Sequence, residues 1–305
     1  VKSLFADKNS PLFNRALSGQ YPPASTLKPF VGMAALEAKT ISWEKEILDS
    51  GKYLVEGDER PYKGWKEGGH GMVDMNKAII ESSDVYFYSL AYDLTIKNLS
   101  PFLEKFGFGK QSGLSKNEGT GILPSRKWKL GYIGEPWFKG DTINMGIGQG
   151  YITATPLQIA LAYSALANKG ELVQPRIIEK IGEEDTKIVI KKNISLNDDK
   201  NWKRIEKSLL GVVEAKNGTA NNIYDKNIRI AGKTGTAQVK SIIETEYELL
   251  RVDKSLRDHA LFVGYGPVEE PKLVVVAIIE NGESGSAVAA PLVRSAINLY
   301  SNNEK

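Results

Sequence analysis

The end of the chain limits the fold more than any other part. Strand-length apolar stretches at 228–239, 259–265 and 273–280 follow one another, and a helical pattern at 287–300 comes after them. The third stretch, Leu273-Val274-Val275-Val276-Ala277-Ile278-Ile279, has no polar break, the pattern of a strand buried on both faces. Such strands need helices laid over them, and the upstream sequence supplies these. Leu27, Phe30, Val31, Ala34, Ala35 and Ala38 recur at helical spacing, as do Trp202, Ile205, Leu209, Val212 and Val213. Thr155 and Pro156 open a helix that Asn168-Lys169-Gly170 closes. Helical patterns at 74–81 and 85–94 are separated by Ser82-Ser83-Asp84, and Ser100-Pro101 opens a further one that Gly107 stops. Residues 41–72 read as irregular, and 172–192 as two strands. The expected fold class is α/β of the α+β type, a mostly antiparallel sheet covered by helices, with an all-helical part between its segments.

Composition removes several kinds of chemistry. With no cysteine among 305 residues, thiol catalysis and disulfides are excluded. Only His70 and His259 are available for a Ser-His-Asp triad or a zinc site, and each reads as structural. The net charge of +3 is spread along the chain, so nucleic acid is not an expected partner. No apolar run approaches membrane-span length and no signal peptide is present. The chain starts without Met, which suggests a soluble piece of something longer.

Three short motifs carry chemistry. Within Tyr21-Pro22-Pro23-Ala24-Ser25-Thr26-Leu27-Lys28-Pro29, Ser25 and Lys28 stand three apart on a helix, a hydroxyl beside an amine that can serve as its base. Pro29 has no N–H for the Ser25 carbonyl, and a proline inside a helix costs about 3 kcal/mol. The spacing therefore predicts an unpaired Ser25 carbonyl and a loosened first turn. Ser82 and Asp84 face one site only if the chain turns between two helices there, and Asp84 also suits a helix cap. In a strand, Lys233 and Gly235 share a face, where glycine admits a ligand and Lys233 or the Thr234 hydroxyl can hold a carboxylate. A bulge beside a solvated lysine fits the same residues. The Gly146-Ile147-Gly148-Gln149-Gly150 run lacks the dinucleotide fingerprint and reads as a tight turn lining a cleft.

Ser-x-x-Lys, Ser-x-Asp and Lys-Thr-Gly in this order match the motif set of penicillin-binding proteins and class A β-lactamases, with Asp84 where that set has Asn. Together with Gly140-Asp141-Thr142-Ile143-Asn144-Met145 and Leu256-Arg257-Asp258-His259-Ala260, they make the chain resemble, over nearly all its length, the transpeptidase domain of class B penicillin-binding proteins. The elongation-type group, penicillin-binding protein 2, is the most similar. The resemblance implies one transpeptidase domain over 1–305, its sheet subdomain mainly from 1–24 and 171–305 and its helical subdomain mainly from 40–170; it also implies two strands ahead of Ser25, for which 24 residues leave little room. It implies that Ser25 attacks D-Ala-D-Ala of a peptidoglycan stem peptide, Lys28 takes the proton, Ser82 relays it and Asp84 orients the pair. An ionised Asp84 beside Lys28 would oppose its role as a base, so an indirect bond between them or partial screening of Asp84 is expected. Lys233 would join the catalytic residues as the second cation able to lower the Lys28 pKa, Thr234 and Thr236 would bind the substrate carboxylate beside Gly235, and the N–H groups of Ser25 and Thr236 would form the oxyanion hole. Some relatives hold structural zinc with two Asp, a His and a Cys. The matching positions are Asp49, Gly64, His70 and Ser83, so no metal and no cofactor is expected. β-Lactams are implied as acylating ligands, and a membrane glycosyltransferase and scaffold of the elongation complex as partners. The implied location is the periplasmic face of the bacterial inner membrane, with anchor and pedestal outside this chain. A D,D-carboxypeptidase or β-lactamase, or a non-catalytic β-lactam-sensing domain, are the other readings of the same residues.

Overall fold

The computed structural model describes residues 2–7, 10–57, 60–239 and 254–303. Helix α1 (Lys28–Glu37) lies at its centre, and every residue from Lys28 to Ala35 is buried. A helix that is apolar on all sides belongs inside the core, and the Phe-Val-Gly-Met-Ala-Ala sequence meets that requirement. Phe30 anchors it through edge-on contacts to Phe106 at 4.9 Å, Phe108 at 5.6 Å and Tyr163 at 5.4 Å between ring centroids. Two further helices, α2 (Met75–Ile80) and α3 (Asp84–Lys105), pack against it. The helical pattern expected to restart at Ser100 instead resumes directly after Thr95, whose φ of 60° breaks α3 internally, and Pro101 lies inside the second half.

The short strands β1 (Ile47–Asp49) and β2 (Gly71–Val73) pair antiparallel, with Asp49 opposite Gly71. Helix α4 (Pro156–Ala167) begins with the capping box that Thr155 and Gln158 predict. Helix α5 (Lys200–Glu214) follows, and then strands β3 (Ala231–Ala237), β4 (His259–Gly266) and β5 (Leu273–Ile279). Helix α6 (Ala290–Asn303) comes after them. The three strands form one antiparallel sheet with β4 in the middle. Helices α4 and α6 pack on β4 and β5, and α5 packs on β3.

Two expectations are corrected here. The apolar run of β5 is half-buried along its whole length, because it is an edge strand of this sheet and β4 takes the fully covered middle position. The two strands that the resemblance implies ahead of Ser25, for which 24 residues leave little room, are not among the described elements of 1–24, which are short helical turns at Lys2–Phe5 and Arg15–Ser18 and a single bridge between Tyr21 and Ala154. The lead-in has no two-residue alternation, and the Asn14 side chain caps the second turn by accepting from the Leu17 N–H.

Removing the Phe30 ring leaves a cavity among three other rings. Phe30→Ala is expected to lower stability by about 3–5 kcal/mol, read from denaturant unfolding curves.

Candidate active site

The turn that presents Ser25 is a 3-10 helix, Ala24–Leu27, running directly into α1. Ala24 has φ of 49°, and its N–H donates to the Gly148 carbonyl at 2.9 Å. Gly148 has φ of 73°, and a Cβ there would stand 2.2 Å from the Ala24 carbonyl oxygen. Only glycine lets this loop press so closely on the Ser25 turn. The Ser25 carbonyl is not left unpaired, because it accepts from the Lys28 N–H in 3-10 fashion. Pro29 thus sits where its missing N–H is not needed, and the loosened first turn inferred from the sequence does not form.

Lys28, the first residue of α1, is fully buried. Its Nζ bonds to the Ser82 carbonyl at 2.7 Å, the Ser82 Oγ at 3.1 Å and Asp84 Oδ1 at 2.7 Å. The Phe87 ring centroid lies 5.6 Å away. Ser82 reaches this position through a left-handed backbone, φ of 59°, which makes the turn between α2 and α3. Ser83, rather than Asp84, caps α3, its Oγ accepting from the Tyr86 N–H. Asp84 is left free to turn its carboxylate to Lys28. Of the two arrangements expected for Asp84, the indirect bond is overturned by this direct contact with Lys28. The second Asp84 oxygen accepts from the Trp65 N–H at 2.9 Å, and the Trp65 indole N–H donates to the Ser82 carbonyl at 3.0 Å.

The third segment is β3. Lys233 is fully buried, and its nearest acceptors are the Thr234 carbonyl at 3.4 Å and Thr234 Oγ1 at 3.5 Å, both long bonds. The hydroxyls of Thr234 and Thr219 are 2.8 Å apart. A Cβ on Gly235 would stand 3.1 Å from Thr26 Cγ2 and 3.4 Å from the Pro23 carbonyl, which places the strand against the Ser25 turn. Thr236 is exposed, and its carbonyl accepts from Gln149 Nε2 at 3.2 Å. The glycine turn at 148–150 thus touches the other two segments and lines the site, as its spacing suggests.

The electrostatics separate the two lysines. Burial pushes the Lys28 amine below the ordinary lysine range, against the opposing pull of the Asp84 carboxylate. Lys233 is driven well below that range, by burial first and by the Lys28 charge second, with Asp84 opposing. Ser25 is partially exposed, whereas both lysines are fully buried. His259 accepts from the Asn281 N–H, and His70 pairs with Asp49 away from the Ser25 turn. Trp65, Thr219 and Gln149 were not singled out from the sequence. Trp65 and Thr219 come from stretches without periodicity, whereas the alternating glycines around Gln149 were a usable sign.

In Asp84→Asn the contact that holds the Lys28 proton is neutralised. The Lys28 amine is expected to titrate at a still lower pH than in the parent, read by NMR of the labelled side chain.

Comparison with known proteins gives concordant results. The family described as "Penicillin binding protein transpeptidase domain" matches residues 2–298. Peptidoglycan D,D-transpeptidase MrdA of Haemophilus influenzae is 42% identical over 308 residues, covering 99% of this chain and 47% of the relative. The chain thus spans about half the length of the curated relatives it matches. Among solved structures, Pseudomonas aeruginosa PBP2 in complex with WCK 5153 superposes with a TM-score of 0.88 at 38% identity, covering 98% of this chain and 62% of that one. PBP2 of Helicobacter pylori in complex with MreC gives 0.83 at 32% identity, covering 100% of this chain and 54% of that one.

Proposed function

The chain belongs to the penicillin-binding protein transpeptidase family, and from that membership we propose that it is a serine D,D-transpeptidase cross-linking peptidoglycan stem peptides during cell elongation. The observation that carries this reading is the meeting of Ser82 and Asp84 on Lys28 Nζ, behind the Ser25 turn, with the Lys233-Thr234-Gly235 strand against the same turn.

In this reading Ser25 Oγ bonds to the carbonyl carbon of the penultimate D-alanine, and the peptide C–N bond to the terminal D-alanine breaks. The proton lost by Ser25 leaves on the departing amine. Lys28 handles it, and its hydrogen bonds suggest how. An ammonium has three N–H donors and no acceptor, whereas the amine has two donors and a lone pair. With its donors on the Ser82 carbonyl and Asp84 Oδ1, the amine directs its lone pair toward the Ser82 hydroxyl, and the proton of Ser25, three residues ahead of Lys28, would pass to this pair. Ser82 Oγ then passes the proton to the leaving group. An amine from a neighbouring stem resolves the acyl ester into a cross-link. Thr234, Gly235 and Thr236, with Lys233 beneath them, receive the substrate carboxylate, and the N–H groups of Ser25 and Thr236 hold the oxyanion, each donor supplying about 10²–10³ in rate. A β-lactam enters by the same attack, its ring C–N bond opening in place of the peptide bond.

The described residues form one domain in this reading, with the site where its sheet and helical parts meet. The full-length protein would act at the periplasmic face of the inner membrane, with a membrane glycosyltransferase and scaffold as partners. The H. pylori relative solved in complex with MreC supports a scaffold partner. No described helix is long and apolar enough to cross a membrane.

A labelled penicillin is expected to give a stable adduct on Ser25 that is lost in Ser25→Ala. Rapid turnover of the label would point to hydrolysis instead, and no labelling would sink both enzyme readings. Lys28→Ala is expected to slow acylation by about 10²–10⁴. Because the Lys28 amine is pushed down, its neutral form appears at lower pH than for a free lysine of about 10.4. Acylation should therefore rise with pH along a limb centred below that value. An ascending limb centred at or above it would refute Lys28 as the base.

A further inference from the structure

Ser83 lies between two residues of the site and faces away from it. Its Oγ donates to Asp49 Oδ2 at 2.6 Å while accepting from the Tyr86 N–H at 3.2 Å, and the side chain is fully buried. Asp49 ends β1 and is itself held on every side. Its Oδ1 accepts from the Gly51 N–H at 2.8 Å, its carbonyl accepts from the His70 N–H at 3.1 Å, and His70 Nδ1 is 2.6 Å from Oδ2. Gly69 makes that crossing possible, because a Cβ there would stand 2.2 Å from the Asp49 carbonyl oxygen. The His70 ring meets the Trp65 ring at 5.5 Å and 61°. Trp65 in turn donates to the Ser82 carbonyl and to Asp84 Oδ2. Ser82 and Asp84 are therefore pinned from both sides by one buried node, through the backbone of Ser83 and through Trp65.

The zinc found in some relatives does not fit this node. Two donors on one tetrahedral zinc, each at about 2.0–2.1 Å, stand roughly 3.3 Å apart. Asp49 Oδ2 lies 2.6 Å from both Ser83 Oγ and His70 Nδ1, hydrogen-bond distances that leave no place for an ion between them. Gly64 brings no ligand atom on a side chain. His70 Nε2 is buried without a hydrogen-bond partner, a single donor atom. Among the described residues no three His, Cys, Asp or Glu side chains gather to hold a metal ion.

We infer that the hydrogen-bonded node of Asp49, Ser83 and His70, working without a metal, holds Ser82 and Asp84 in register with Lys28, so that Asp49 and Ser83 are positioning residues for acylation. This rests on the reading of the site as an acyl-transfer centre. The need for such a device follows from the backbone. Ser82 occupies the left-handed region without being glycine, a conformation that persists only where its surroundings impose it. The Ser82 carbonyl and hydroxyl are two of the three groups bonded to Lys28 Nζ, so relaxation of that turn would withdraw both together.

The test compares parent, Ser83→Ala, Ser83→Thr and Asp49→Asn by the rate of labelled-penicillin acylation at saturating drug, scored on the fraction of protein that labels. Ser83→Ala is expected to acylate about tenfold more slowly, and Ser83→Thr, which keeps the hydroxyl, within about threefold of the parent. Asp49→Asn keeps the volume and loses the charge, and it tests the node should Ser83→Ala fold poorly. It is expected to be slowed as well. A strong chelator should leave the parent rate unchanged. The NMR titration of the Lys28 amine provides a readout independent of labelling, and in Ser83→Ala it should move to lower pH as the Asp84 contact loosens. An unlabelled parent would overturn the acyl-transfer reading alone, since the Lys28 titration still decides the node. The node is wrong if Ser83→Ala matches the parent in rate and titration, if Ser83→Thr is as slow as Ser83→Ala, or if chelation slows the parent as much as Ser83→Ala does.

Discussion

A lysine amine with no solvent contact is the constraint on which the rest of the site depends. A buried charge costs several kcal/mol unless it is paired and hydrogen-bonded, so Lys28 must either lose its proton or bring acceptors with it. The chain does both in part. Burial drives the amine down, while Asp84 Oδ1 and the two Ser82 oxygens surround it at hydrogen-bond distance. The turn between α2 and α3 is shaped by that requirement. Ser82 adopts a left-handed backbone, Ser83 takes over the helix cap, and Asp84, relieved of capping, extends to the amine. Each of the three consecutive residues serves a different need of one buried nitrogen.

Glycine allows the remaining segments to reach the same place. Gly148 brings its loop onto Ala24, and Gly235 lets β3 lie against Thr26 and Pro23, so the nucleophile turn is gripped from two sides by backbone. Such close approach fixes the turn more firmly than side-chain contacts, which can change rotamer. It also makes the site a junction. The Ser25 turn belongs to the central helix, Ser82 and Asp84 to the helical part, and Lys233 to the sheet, so the site forms only when the whole fold does.

Much of this was legible in the chain. The apolar stripe of α1, the caps at Thr155 and Pro156, and the three late strands are local patterns, and the structure contains them. The residues Ser25, Lys28, Ser82, Asp84, Lys233 and Thr234 were legible because their motifs are short and ordered. What was not legible depends on contacts between distant segments. That β5 is an edge strand follows from sheet order, which no periodicity encodes. Trp65 acts through its backbone N–H and indole, in a stretch with no pattern at all. The bond between Ser83 and Asp49 joins residues separated by most of the irregular region.

The sequence reading went astray over Pro29 and over Asp84 for different reasons. The Pro29 reading placed Ser25 on an ideal α-helix, where carbonyl 25 would seek N–H 29, and the Asp84 reading rested on charge, an ionised carboxylate raising the lysine it touches. The 3-10 turn at Ala24–Leu27 changes the first. It assigns carbonyl 25 to the Lys28 N–H, so that proline at 29 forfeits no hydrogen bond. Lys28 is thereby the first residue of α1, with its side chain committed to the Ser82 turn rather than to Ser25 alone. The direct Asp84 contact then opposes the downward shift of the amine without cancelling it, because burial outweighs it. Among the described residues Lys233 has no carboxylate in contact and only long bonds to Thr234, and its charge is disfavoured more strongly still. Of the two buried lysines, the one with a carboxylate to exchange hydrogen bonds with suits the proposed role of taking and returning a proton. The other is equipped to wait for an anion.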